Sequence, residues 1–295
     1  MGVVCAGLAL AAAPAGAAEV SEVDIGASDS RIVRGETVDL RGGVSPKRGD
    51  RRIELKFKTA NGDYENLDRT RTDGDGEYRF EVTPDFTGRY RAVAVDDAGE
   101  KEAESGRADV KVDATLTVRT KKDVLRGKDI AIRGRLSPGV GDRKVTIQRQ
   151  RKGDWNGIAT ARTDGDGAYR AQWTPDELGS YPVRAKFEGD DLNGSAKRQV
   201  EHEVHVYRSA TASWYGPGLY GNTTACGQTL REDTVGVAHK QLPCGTKVRF
   251  HYRGETETIR VIDRGPFIEG REWDLTEAAK RKLGFPDLDE IWSTK

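Results

Sequence analysis

An excess of charge of either sign is missing from this 295-residue chain: Lys plus Arg and Asp plus Glu both number 48. No global field therefore draws it to nucleic acid or to anionic lipid, nucleic acid is not expected as a partner, and contact with any polyanion would need a local patch. Long apolar runs are missing too. The stretch from Val3 to Ala13 is too short to span a bilayer, so no stable membrane insertion is expected. The four histidines are scattered. His202 and His205, three apart, are expected on opposite faces of one strand, and neither a metal site nor a cofactor is expected. Charged residues make up 33% of the chain and hydrophobic ones 36%, a balance that suits small sandwiches and barrels with thin cores.

The apolar stretch ends in small residues, and Ala15-Gly16-Ala17 or Gly16-Ala17-Ala18 offers a cleavage site for a secretory signal peptide over residues 1–18. The usual positive segment before it is absent, which leaves open a start upstream of Met1. A lipid anchor needs a cysteine after the apolar stretch, whereas Cys5 lies inside it, so lipid anchoring is not expected. Removing the signal leaves Cys226 and Cys244, and an even pair in an exported protein implies a disulfide. The expected location is secreted, extracellular or in the cell wall.

An internal repeat fills the middle of the chain. Arg34-Gly35-Glu36 through Ser45-Pro46 returns 92 residues later as Arg126-Gly127-Lys128 through Ser137-Pro138, and Arg71-Thr72-Asp73-Gly74-Asp75-Gly76 returns 91 residues later as Arg162-Thr163-Asp164-Gly165-Asp166-Gly167. One residue has shifted between the two halves, which points to a loop. A unit of this length is a whole domain. Ile53, Leu55 and Phe57 alternate with charged neighbours, as do Val145 and Ile147 with polar ones, and this period of two marks strands with one wet face. Turn signals recur about every ten residues. Two immunoglobulin-like β-sandwiches, 22–114 and 115–206, are expected, with Trp155, Trp173 and Tyr169 as large core or edge pieces of the second. The Asp-Gly-Asp-Gly runs resemble calcium loops only in part, because no further ligand and no bidentate Glu follows Asp75 or Asp166. A hairpin turn that uses Asp-Gly for positive φ is the expected reading.

The last third carries a distinctive run: Ala212-Ser213-Trp214-Tyr215-Gly216-Pro217-Gly218, Thr224-Ala225-Cys226-Gly227, Ala238-His239, Leu242-Pro243-Cys244-Gly245-Thr246, Val261-Ile262-Asp263-Arg264-Gly265-Pro266-Phe267 and Trp273-Asp274-Leu275-Thr276. Together these motifs resemble the rare lipoprotein A (RlpA-like) family. The resemblance covers 207–295 and implies a double-psi β-barrel that acts on the glycan strands of peptidoglycan as a lytic transglycosylase. The whole chain is then expected to be all-β: two sandwiches followed by a six-stranded barrel with a short helix. Strands are expected at Lys247 to Tyr252 and Thr258 to Ile262, joined through Arg253-Gly254-Glu255. A final helix is expected from Leu275, Ala278, Ala279 and Leu283, stopped by Gly284 and opened by Asp274-Leu275-Thr276-Glu277 as a capping box.

Glycosidic cleavage needs an acid to protonate the leaving oxygen, and a lytic transglycosylase uses the same group as base while the sugar's 6-hydroxyl attacks. Asp263 is the first candidate, since it ends an apolar strand where partial burial raises a carboxyl pKa. Arg264 beside it is expected on the opposite face. The resemblance places His239 in the groove and matches Asp274 to the acid of related double-psi-barrel endoglucanases and of expansins. It also exposes a departure, because family members studied as glycosidases carry Glu where this chain has Gln228, which cannot ionise. Asp263 or Asp274 acts alone, or Glu232 or Asp233 substitutes, or the barrel is a non-catalytic, expansin-like glycan-binding or wall-interaction module. Trp214, Tyr215 and Tyr220, among Gly216, Pro217, Gly218 and Gly221, are expected on a loop where they could stack on sugar rings, with Gln228 and Arg264 as further substrate contacts. Peptidoglycan glycan is the expected partner, and any contact with cell-wall or divisome proteins is expected through the sandwiches.

Overall fold

The computed structural model describes residues 19–295, so the expected signal peptide and Cys5 lie outside the described residues. The chain divides into two compact units, one ending at Ala114 but including Gly189–Ser195, the other made of Thr115–Glu188 and Ala196–Lys295. In the first unit, Glu22–Val23, Val38–Ser45, Gly26–Ala27 and Glu77–Val82 form one sheet, while Arg31–Val33, Ala108–Asp113, Gly88–Val95, Arg52–Lys58, Glu65–Arg71 and Lys101–Glu104 form another. Glu77–Val82 shows why: its residues alternate exposed and buried without exception, so Tyr78, Phe80 and Val82 all point inward. Val38, Leu40, Tyr78 and Phe80 from one sheet meet Ile53, Leu55, Tyr90 and Val110 from the other in one core.

The repeat returns in the second unit. Thr115–Leu116, Ile130–Ser137 and Ala168–Trp173 form one sheet, and Asp154–Arg162, Lys144–Arg151, Val183–Phe187 and Ala196–Gln199 form another. Tyr78 donates its hydroxyl hydrogen to the Asp24 carbonyl, and Tyr169 does the same to Thr117 at 2.6 Å. Tyr169 and Trp173 are buried, whereas Trp155 is partly exposed with the Arg184 guanidinium 4.0 Å over its ring. The missing residue falls in a hairpin: the loop between Lys58 and Glu65 is replaced by a tight turn at Lys152 and Gly153, both with positive φ (50° and 92°). The two Asp-Gly-Asp-Gly runs are hairpin turns. Asp73 Oδ1 accepts the backbone N–H of Asp75 and Glu77 at 3.0 and 2.9 Å, and Asp164 Oδ1 those of Asp166 and Ala168 at 3.1 and 2.8 Å.

The C-terminal domain is a double-psi β-barrel of six strands: β1 (Val204–Tyr215), β2 (Val237–Ala238), β3 (Lys247–Tyr252), β4 (Glu255–Asp263), β5 (Trp273–Thr276) and β6 (Asp289–Ser293), with helix α1 (Glu277–Leu283) between the last two. It closes in the order β1-β5-β2-β4-β3-β6 and back to β1. The β1–β5 and β2–β4 pairs are parallel and the rest antiparallel. Val237, Val248, Phe250, Ile259, Val261, Trp273, Leu275 and Ile291 fill it. β1 is longer than the barrel needs. Its first residues pair with Asp123–Leu125 and Gly179–Tyr181 of the second repeat before it enters the barrel, so it crosses position 207 without a break.

Three local expectations are corrected. The helix opens at Glu277 with Thr276 as N-cap, not from an Asp274 capping box, because parallel pairing with β1 holds Trp273 to Thr276 in the sheet. Leu275 is therefore a strand residue, while Ala278, Ala279 and Leu283 form the buried helical face and Gly284 closes it at φ 59°. β4 begins at Glu255 rather than Thr258, since Arg253 and Gly254 (φ 48° and 102°) make the two-residue turn alone. His202 precedes β1 and so does not share a strand with His205. Among the described residues no group of three or more His, Cys, Asp or Glu is placed to hold a metal ion.

Candidate functional site

Four strands bring the site together. Ala238 on β2 lies in register with Asp263 of β4 on one side and Asp274 of β5 on the other, and Asp274 is in register with Ser213 of β1. Trp273 and Leu275 belong to the core, so Asp274 between them must face outward. Asp263 reaches the same face through a bulge. The register steps from Val237↔Val261 to Ala238↔Asp263, and the extra residue Ile262 turns Asp263 away from the side of its core neighbour Val261.

The two carboxyls are held differently. Asp263 is half-buried, and its Oδ1 accepts the backbone N–H of Ala225 at 2.8 Å and of Arg264 at 2.9 Å. Among the described residues Asp274 accepts only the Ser213 hydroxyl, at 2.8 Å. Burial pushes the Asp274 pKa above the ordinary carboxylate value, and the nearby Asp263 charge adds to the rise; the Ser213 hydrogen bond and Arg271 oppose it. Tyr215, two residues beyond Ser213, completes the cluster. Its hydroxyl is buried and, among the described residues, meets no partner in full hydrogen-bond geometry; its pKa is pushed up by burial first and then by the neighbouring Asp263 and Asp274 carboxylates.

His239 makes its contacts elsewhere. Nδ1 accepts the backbone N–H of Gln241 and Leu242 at 3.0 and 2.9 Å, which places the proton of the neutral ring on Nε2, 3.6 Å from Glu272 Oε1. Glu272 is gripped by Nη1 and Nη2 of Arg208, and that hydrogen bonding holds its pKa low. Burial lowers the His239 pKa against the opposing pull of Glu272, and the ring packs 4.5 Å from Trp273. The backbone N–H of His239 donates to the Asp263 carbonyl at 3.2 Å, but among the described residues no side-chain hydrogen bond or ion pair joins His239 to Asp263 or Asp274. Arg264 turns away from its neighbour's carboxylate, as alternation requires: its guanidinium donates to the carbonyls of His239 and Asp263, both at 3.4 Å, and to Cys244 Sγ at 3.5 Å.

The aromatic residues are placed otherwise than expected. Trp214 and Tyr215 end strand β1 rather than occupying a loop, because their parallel register with Leu275 and Thr276 continues through both. Trp214 is held by Asp287, which accepts its indole N–H at 2.7 Å, and by the Lys280 ammonium 3.9 Å over the ring. Tyr220 is on the loop, and its hydroxyl donates to Glu277. Phe267, four residues past Asp263 in the chain, is 84% exposed. Gln228 is exposed; so are Glu232, which pairs with Arg281 at 3.7 Å, and Asp233. Cys226 and Cys244 are bonded, with Cα atoms 5.7 Å apart, and the bridge fastens the loop whose Ala225 N–H holds Asp263. Sequence reasoning passed over Ser213, Arg208 and Glu272. Ser213 stood inside a quoted motif, but nothing local marks the other two.

Residues 208–291 match a family model described as "Lytic transglycolase". The chain is 40% identical over 79 residues to a probable endolytic peptidoglycan transglycosylase RlpA of Synechocystis, covering 26% of this chain and 25% of that protein. It is 42% identical over 94 residues to the endolytic peptidoglycan transglycosylase RlpA of Campylobacter jejuni, covering 31% and 34%. For the Pseudomonas aeruginosa protein of that name the figures are 40% over 89 residues, 29% and 26%. The chain thus spans between a quarter and about a third of the length of these relatives.

Proposed function

We propose, from the premise that residues 208–291 form an RlpA-like double-psi β-barrel, that this domain binds peptidoglycan glycan strands and cleaves them as a lytic transglycosylase. The chain is exported to the cell wall in this reading, and its two repeats are immunoglobulin-like spacers that carry the barrel. The observation that carries the proposal is the outward-facing pair Asp263 and Asp274 on either side of Ala238. One carboxyl is fixed on backbone amides and the other is half-buried with a raised pKa. Two acids in environments this different can take different roles.

Asp274 is the proton donor here. As the C1–O glycosidic bond breaks, the leaving oxygen takes the Asp274 proton; the sugar's 6-hydroxyl oxygen bonds to C1, and its proton returns to the Asp274 carboxylate. The product is a 1,6-anhydro sugar end, and no water is consumed. Asp263 faces the positive charge that develops at C1. Phe267, exposed four residues past Asp263 in the chain, offers a flat apolar surface for a sugar ring.

Mass spectrometry of sacculi digested with the full chain is expected to show 1,6-anhydro ends. Asp274→Asn and Asp263→Asn are each expected to slow their release by about 100-fold or more. Cleavage by Asp274→Asn at the wild-type rate would place the acid elsewhere. A second reading rests on Gln228, which stands exposed and unable to ionise. If the wild-type chain sediments with sacculi and releases nothing, while Gln228→Glu releases anhydro ends, the barrel binds glycan without cutting it.

A further inference from the structure

The two repeats differ most in the charge on one outer sheet face. In the first, Gly26, Arg41 and Arg79 lie in one row across three strands, and Asp39 braces both arginines: its Oδ2 accepts from Arg41 at 2.7 Å and its Oδ1 from Arg79 Nη2 at 2.6 Å. Glu81 lies 3.4 Å from Arg79 as well. The same row in the second repeat reads Arg119, Arg133, Arg170. Ala131 stands where the first repeat has Asp39, and Gln172 where it has Glu81, so both counter-charges are gone.

Along the same face Arg135 takes the place of Gly43, and Ala168 that of Glu77. Arg119, Arg133 and Arg170 are all exposed, and among the described residues none of them makes an ion pair or a side-chain hydrogen bond. With Arg135 and Arg162 they line a groove of about 1010 Å³. Arg135 rests on the Asp166 carbonyl at 2.6 Å, and Arg162 pairs with Asp142 at 3.0 Å. Asp164 is the one carboxylate in the lining, and its Oδ1 is turned onto the backbone of its own hairpin.

Neighbouring strands lie about 4.8 Å apart, so three guanidinium stems stand side by side, and like charges directly opposite weaken a sheet. The first repeat removes that cost with Asp39. The second keeps it in a chain whose total charge is zero, which makes the row a local patch. A single carboxylate answers one guanidinium, whereas a chain of phosphates answers all three, each through the bidentate fork that arginine presents. Base stacking has no platform here, because the one aromatic residue of the lining, Tyr169, is buried with its hydroxyl on Thr117.

We propose that this face of the second repeat, centred on Arg119, Arg133 and Arg170, binds a linear phosphate-bearing polymer of the poly(glycerol phosphate) type. The site is separate from the barrel's carboxyl pair and does not depend on it.

The test is binding of the full chain to immobilised poly(glycerol phosphate) across a salt series, with inorganic polyphosphate, single-stranded nucleic acid and phosphate-stripped sacculi as parallel arms. Wild type is expected to bind the phosphate polymers and to lose affinity steeply with salt. Arg133→Gln with Arg170→Gln is expected to weaken binding by about tenfold or more and to lower the slope of log affinity against log salt by about 0.7 for each phosphate that no longer meets a guanidinium. Ala131→Asp supplies the missing brace, and is expected to raise the melting temperature without polymer while weakening polymer binding. Stronger binding to polyphosphate than to poly(glycerol phosphate) would name a free polymer as the source of the same chemistry. Equal affinity of wild type and the double glutamine variant, no binding at low salt, or tighter binding to nucleic acid would each overturn the proposal.

Discussion

Asp274 lies on a strand whose other face, Trp273 and Leu275, is fully buried. Its carboxyl is half-buried with one hydroxyl donor, so ionising it costs more in the fold than in the unfolded chain. A carboxyl whose folded pKa is raised favours the fold at pH below its unfolded value, and that advantage is lost as pH rises through the folded pKa. Above the unfolded value, burying the Asp274 carboxyl therefore works against stability. Asp274→Asn is expected to raise the melting temperature at pH 7, to give no gain below pH about 4 where both states carry the proton, and to abolish cleavage. Melting curves across pH check it, and a fall at pH 7 would mean that the carboxylate is stabilised in a way its hydrogen bonds do not explain. A helix cap at this position would predict the opposite sign. Asp263 differs because two amides meet its oxygen, and those amides belong to Ala225 and Arg264, one distant in the chain and one adjacent.

At the scale of elements, β5 and α1 meet at Thr276. Its Oγ1 accepts the N–H of Ala279 at 3.3 Å as helix cap and that of Gly236, just before β2, at 3.1 Å. One buried hydroxyl thus serves both a helix end and a strand end. Thr276→Ala leaves two buried amides without a partner and is expected to cost about 2 kcal/mol, whereas Thr276→Ser keeps the oxygen and is expected to cost much less. Urea unfolding of the two variants compares them, and similar midpoints would show that the missing methyl, not the hydrogen bonds, carries the effect. The β4 bulge acts at the same scale. It was hidden in Val261-Ile262-Asp263, where plain alternation assigns Asp263 the side of Val261; only pairing with the short β2 sets the step in register. The Asp-Gly-Asp-Gly hairpins and the Arg253-Gly254 turn were legible, because a residue type at positive φ is a local requirement.

Across the whole molecule, covalent and continuous links hold the barrel. The Cys226–Cys244 bridge closes a loop with a sequence separation of 18 that contains β2 and His239. Such a closure contributes roughly 3 kcal/mol in the chain-entropy model. Replacing both cysteines by alanine is expected to destabilise the barrel by about that amount and to slow cleavage, since Ala225 next to the bridge anchors Asp263. Differential scanning calorimetry alongside the sacculus assay reads both effects; full activity in the bridge-free variant would show that the loop holds Asp263 unaided. β1 is the other link, one strand that pairs first with two short strands of the second repeat and then forms a wall of the barrel.

The sequence alone was enough for the duplicated unit, the period-two strands, the pairing of Cys226 with Cys244 and the outline of the barrel domain. The first three depend on neighbours along the chain or on counting, and the outline of the barrel on the resemblance of its motifs to a known family. Tertiary structure decided which groups share a face: that Ser213 reaches Asp274, that a bulge turns Asp263 to join them, that His239 faces Glu272 and Arg208, and that Arg133 lacks the brace Arg41 has in Asp39. The physical reason is the same throughout. Alternation and turn geometry are fixed by bonds within a few residues, whereas the charge and burial a side chain meets depend on register between strands that lie far apart in sequence.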